Sequence, residues 1–197
     1  MKTNKTQWII DRSHSEIAFR VRHLMIAFVK GSFKIFDANI FTTDKDFATA
    51  TINLWIDVAS ITTGDDKRDE HLKSSDFFDV ANHKQIKFTS TSIKQLENKN
   101  NYELRGMLYI RDFPQEVLLN VQYRGIVKDP MGNEKAGFTV TGSINKIAWG
   151  LSWNRPMPSG GLMLSEEVLI SCEVELTNAG QKDLEMEKES VVNKTAL

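Results

Sequence analysis

The feature that most constrains this chain is a period-two alternation of apolar and polar residues, repeated in segment after segment. Ile17, Phe19 and Val21 fall on one face with Arg20 and Arg22 on the other. "ATINLWIDV" sets Ile52, Leu54, Ile56 and Val58 against Thr51, Asn53 and Asp57, and "NYELRGMLYI" sets Tyr102, Leu104, Leu108 and Ile110 against Glu103 and Arg105. The pattern continues through Val117, Leu119, Val121 and Tyr123, then Phe138, Val140 and Ile144, then Val168, Ile170, Cys172, Val174 and Leu176. Such segments are strands with one apolar face, joined by turn material such as "ENKNN" and "KDPMGNEKAG". Strands of this kind stack as a sandwich or close on themselves, and closure removes the exposed edges. The expectation is an all-β chain: an antiparallel, extended, lipocalin-like β-barrel of about eight strands.

One stretch breaks the rhythm. "DKRDEHLKS" carries helix formers and no β-branched residue, and Phe77 and Phe78 follow it. It predicts a short helical insert near residues 66–78 that covers one end of the barrel, with Ser75 or Asp76 capping a second turn. The barrel domain is expected over residues 6–178. The charged segment 179–197 leaves the strand pattern and is assigned no chemistry.

The chain has 197 residues and a net charge of -1, so no strong field draws a nucleic-acid backbone to it. One cysteine, Cys172, excludes an internal disulfide and paired-thiolate zinc sites. No apolar run reaches membrane-spanning length, and the first residues show no apolar stretch of signal-peptide length, so a cytoplasmic setting is expected. His14, His23, His71 and His83 have neither helical i, i+4 nor HxH spacing, so no metal site is expected. No nucleophile elbow or phosphate-cradling glycine loop occurs; Ser159 sits in a turn-like "PSGG". No catalytic residue and no cofactor is expected.

Several motifs occur in a recognisable order: "WIIDRSHSEIAFRVRHLMIAFVKGSFKIFDANI", "ASITTGDDKRDEHLKSSDFFDV", "QIKFTSTSI", "LRGMLYIRDFPQEVLLNV" and "INKIAWGLSWN…EEVLISCEVEL". Together, from about Trp8 to Leu176, the chain resembles the YceI-like, polyisoprenoid-binding family. Trp149 stands where that family usually has phenylalanine. The resemblance implies an elongated pore holding a polyisoprenoid such as an isoprenoid quinone or polyprenyl phosphate, often in a homodimer, for transport, storage or stress response. On that reading Ile17, Phe19, Val21, Phe33, Leu54 and Ile56 line the pore. Phe88, Leu104, Leu108, Val121, Phe138, Val140, Val168 and Ile170 complete the lining. Phe77, Phe78 and Trp149 guard its ends, and Arg68 and His71 meet a head group. Two competing readings remain: an enzyme of lipid or small-molecule metabolism using His14, His71 and nearby carboxylates, and a barrel packed solid with its own side chains.

Overall fold

The computed structural model describes residues 4–158 and 160–180. Most of the charged C-terminal segment, residues 181–197, and Ser159 lie outside the described residues. Alternation produces strands where it was read: β1 (Lys5–Ile10), β2 (Glu16–His23), β3 (Ala27–Phe33), β4 (Phe36–Thr43), β5 (Asp46–Asp57) and β6 (Ile61–Thr62). After α1 (Asp66–Lys73) come β7 (Gln85–Gln95), β8 (Asn101–Ile110), β9 (Phe113–Lys128), β10 (Glu134–Asn145) and β11 (Leu164–Asn178). All belong to one antiparallel sheet.

Eleven strand segments make a barrel of eight staves. β11 pairs along one edge with β2 near its start and with β1 near its end, so β1 and β2 form one stave interrupted at Asp11–Ser15. β3 and β4 likewise form one stave bent at Lys34–Ile35, since β3 pairs with β2 and β4 with β1. β5 and β6 are separated by the 3₁₀ turn Val58–Ser60. Backbone bonds from Lys34 N to Ser60 O (3.2 Å) and from Asp57 N to Ile35 O (2.9 Å) stitch the second break to the third. The staves then run in sequence order from β7 to β11, and the β1–β11 pairing closes the tube. Among the described residues each stave is paired with a neighbour on both sides over at least part of its length, which limits the free edge it offers.

Two hairpins are fixed by two-residue turns in which both residues have positive φ: Asp44 and Lys45 (50° and 67°), and Arg111 and Asp112 (52° and 63°). That geometry matches the right-handed twist of the flanking strands. Two glycines serve close approach instead. A Cβ on Gly106 would strike the Phe88 ring and come within 2.6 Å of Thr89 O, and one on Gly31 would strike the Phe19 ring.

Asp65 caps α1, its carboxylate accepting from Arg68 N at 3.0 Å. The expected second turn carrying Phe77 and Phe78 is present, but it is not helical and Ser74, rather than Ser75 or Asp76, caps it. Residues 75–78 are turns, anchored by Ser74: its carbonyl accepts from Phe77 N (3.1 Å) and Asp79 N (2.9 Å), and its hydroxyl accepts from Asp76 N (3.3 Å). No helix among the described residues is long and apolar enough to cross a membrane.

Candidate ligand-binding cavity

The two ends of the barrel differ. At one end Trp8 is fully buried and donates from Nε1 to Thr42 Oγ1 at 3.0 Å. Its ring lies 5.0 Å from Phe47, which packs on Phe138 at 4.8 Å and Tyr123 at 5.5 Å. This tilted and edge-on aromatic cluster forms a floor. Toward the other end the inward residues stop filling the space. Ile17, Phe19, Val21, Leu54, Leu108, Val140, Val168 and Ile170 point inward yet are only half-buried, because the surface they expose faces a cavity of about 510 Å³.

The wall of this cavity is almost wholly apolar. Every pore residue read from the sequence lines it except Trp149: Phe33, Ile56, Phe88, Leu104, Val121 and Phe138 join those just named, as do Phe77, Phe78, Arg68 and His71. Trp149 does not guard an end of the tube. Its indole is buried and donates from Nε1 to Leu108 O at 3.0 Å, which ties the ring to the wall and keeps it out of the lumen.

Trp153 stands at the mouth instead. Its ring meets His71 edge-on at 4.7 Å and Phe77 at 5.1 Å. No periodicity marks Trp153, which lies in an irregular loop. Lys146 was legible but missed: it continues the inward parity of Phe138, Val140 and Ile144 by one step, and it faces the cavity. Its ammonium is buried and donates to Leu151 O (2.5 Å) and Trp153 O (3.2 Å).

The polar lining gathers at this mouth. Arg68 Nε donates to Thr63 Oγ1 (2.6 Å) and Nη2 to Thr63 O (2.9 Å). Thr63 in turn donates from its hydroxyl and its N–H to the buried carboxylate of Asp69. His71 pairs with Asp76 at 2.9 Å.

An enzyme built on His14 and His71 requires the two imidazoles to converge, and they do not. His14 is exposed on the outer wall beside Asp11 (3.1 Å) and Glu175 (3.9 Å), whereas His71 faces the cavity among Phe77, Trp153 and Asp76. Asp11, His14 and Glu175 group ligand-type atoms. Lys135 Nζ already bridges the two carboxylates at 2.7 and 3.2 Å and supplies the cation there. It is the chief reason that the Asp11 carboxyl is held well below the usual carboxylate range, with help from Ser13.

Residues 8–176 match the YceI-like domain family. A UPF0312 protein of Staphylococcus aureus (strain bovine RF122 / ET3-1) is 36% identical over 173 residues, covering 87% of this chain and 98% of the relative. The crystal structure of a Campylobacter jejuni YCEI protein is 27% identical with a TM-score of 0.69, covering 79% of this chain and 88% of that one. A polyisoprenoid binding domain from Saccharophagus degradans, implicated in plant cell wall breakdown, has a TM-score of 0.60 at 15% identity, covering 87% and 98% of the two chains. That last likeness is one of fold. From Trp8 to Leu176, the stretch that makes the closed, hollow barrel, this chain is a member of the YceI-like domain family.

Proposed function

We propose that the barrel encloses the tail of an amphiphilic polyisoprenoid, an isoprenoid quinone or a polyprenyl phosphate, and carries, stores or shields it. The observation that carries this reading is the hollow interior: inward apolar side chains from all the staves surround a cavity of about 510 Å³ rather than interdigitating across it. A barrel packed solid with its own side chains does not have such a space. The Saccharophagus degradans domain of the same fold, described as polyisoprenoid-binding, supports the choice of ligand class.

The energetics need no catalytic group. Burying apolar carbon stabilises by about 0.8 kcal/mol per methylene, so one five-carbon unit contributes up to roughly 4 kcal/mol. Several such units would exceed the practical ceiling of roughly 18–21 kcal/mol. Ordering of the tail and lost motion must therefore offset much of the gain. Selectivity then rests on tube length, set by the floor at Phe47, and on the polar groups at the mouth.

Native mass spectrometry of protein purified gently from its source tests the proposal. A co-purifying long-chain isoprenoid is the expected result, and its absence across repeated preparations overturns the reading. A homodimer, a cytoplasmic setting and a part in stress response belong to the same proposal; sedimentation, cell fractionation and a deletion strain under stress test each.

A further inference from the structure

The charge of the cavity is one-sided. Among its lining residues there is no aspartate and no glutamate, while His23, Arg68, His71 and Lys146 all contribute to the mouth. His71 is matched by Asp76, and the Arg68 guanidinium is coupled through Thr63 to the buried Asp69. Lys146 differs from both. Only 4% of its surface is exposed, and among the described residues no carboxylate lies within 4.0 Å of its nitrogen. Two backbone carbonyls accept from it, so one of the three donors of an ammonium remains.

A buried cation without a counter-charge is costly, and an anion brought to it by a ligand removes that cost. Burial holds the Lys146 ammonium below the ordinary lysine pKa, with the more distant Glu166 opposing this effect. The position is specific as well. Lys146 bonds to the carbonyl of Trp153, whose ring touches His71, and His71 lies one helical turn beyond Arg68 on α1. The unmatched cation, the guanidinium and the aromatic gate thus share one end of an apolar tube.

We propose that the mouth is an anion seat, with Lys146 as its principal donor and Arg68 beside it, selecting polyisoprenoids with an anionic head over neutral ones. This rests on the reading of the tube as an isoprenoid site and narrows the head group to a phosphate or similar oxyanion. Hydrogen bonds to charged groups are the strong ones, and in this dry setting they favour the anion over a neutral hydroxyl about tenfold or more.

The test compares two probes with the same tail, geranylgeranyl phosphate and geranylgeraniol, by titration against the full chain. The wild-type protein should bind the phosphate about tenfold or more tightly than the alcohol. In Lys146→Met, checked for a folded barrel by circular dichroism, that preference should collapse through loss of affinity for the phosphate. Arg68→Met, which leaves the Leu151–Trp153 carbonyls untouched, should reduce the preference in part. Equal binding of phosphate and alcohol by the wild type overturns the anion seat and leaves the tube standing. A preference that survives both substitutions overturns the assignment to these residues. Failure of both probes to bind removes the tube reading and this inference with it. Inorganic phosphate at the same concentration should not displace the prenyl phosphate; full displacement would assign the seat to a free anion and overturn the amphiphile.

Discussion

Replacement of Leu108 by asparagine separates uptake of the tail from stability of the barrel. Leu108 lies on β8, opposite Phe88 on β7, and its half-buried side chain faces the cavity. Its inward neighbours along the strand, Leu104 and Ile110, offer no hydrogen-bonding group. In the empty tube the new carboxamide can be solvated by water, so folding should suffer little. When a tail fills the tube, the amide loses that water and finds no partner. An unsatisfied buried amide costs about 1–3 kcal/mol in proteins. At about 1.4 kcal/mol per decade, the Kd should rise roughly 5- to 150-fold. Leu118→Asn is the control, because Leu118 is 40% exposed and outside the cavity lining. Titration with geranylgeraniol, followed by tryptophan fluorescence and independently by native mass spectrometry, reads both variants. If Leu108→Asn binds within about twofold of the wild type, the wall does not touch the tail and the reasoning fails.

Other expectations concern the floor, the wall and the titrating groups. Phe47→Ala removes three ring contacts and should cost about 3–5 kcal/mol in urea unfolding while admitting longer tails; a loss below about 1 kcal/mol would mean the floor is not packed. Gly106→Ala should cost about 1–3 kcal/mol through collision with Phe88, and Phe88→Leu in the same chain should restore part of it. Asp11 has a depressed pKa in the folded chain, so its contribution is present above the unfolded carboxylate pKa and is lost as pH falls below it. Lys135→Met should therefore cost about 1 kcal/mol near neutral pH and flatten the acid limb of a stability–pH curve; an unchanged limb would refute the pairing. Burial pushes the Cys172 thiol up to about 11, so it should resist alkylation at pH 8 until urea unfolds the chain. Its linked stability is intact below the unfolded thiol pKa and declines as pH rises toward 11.

Much of this architecture was readable because a strand with one wet face must alternate, and the inward parity of Ile17, Phe19 and Val21 is the parity of the lumen. That rule carries as far as the regular backbone. It points Leu104, Leu108, Val121 and Val140 to the cavity wall, and extending it by one residue points Lys146 there as well. It fails at Trp149 and Trp153, beyond the end of β10, where a 3₁₀ turn and an irregular loop send one indole to the wall and the other to the mouth. The histidine-based alternative failed for a related reason: His14 sits in the break between β1 and β2, outside any parity, and the break turns it outward. The split of three staves was illegible, because each fragment alternates normally on its own and only their shared neighbours show them to be one.

Those three interruptions lie side by side in adjoining staves and form a crease across part of the wall. Below it the interior is crowded with rings that hold the molecule together. Above it β2, β3, β6 and α1 surround the mouth of a cavity that reaches down to Phe47. The crease therefore divides the labour of the sequence: changes beneath it are expected to alter how firmly the molecule stands and how long a guest it can take, and changes above it to alter which head group it admits.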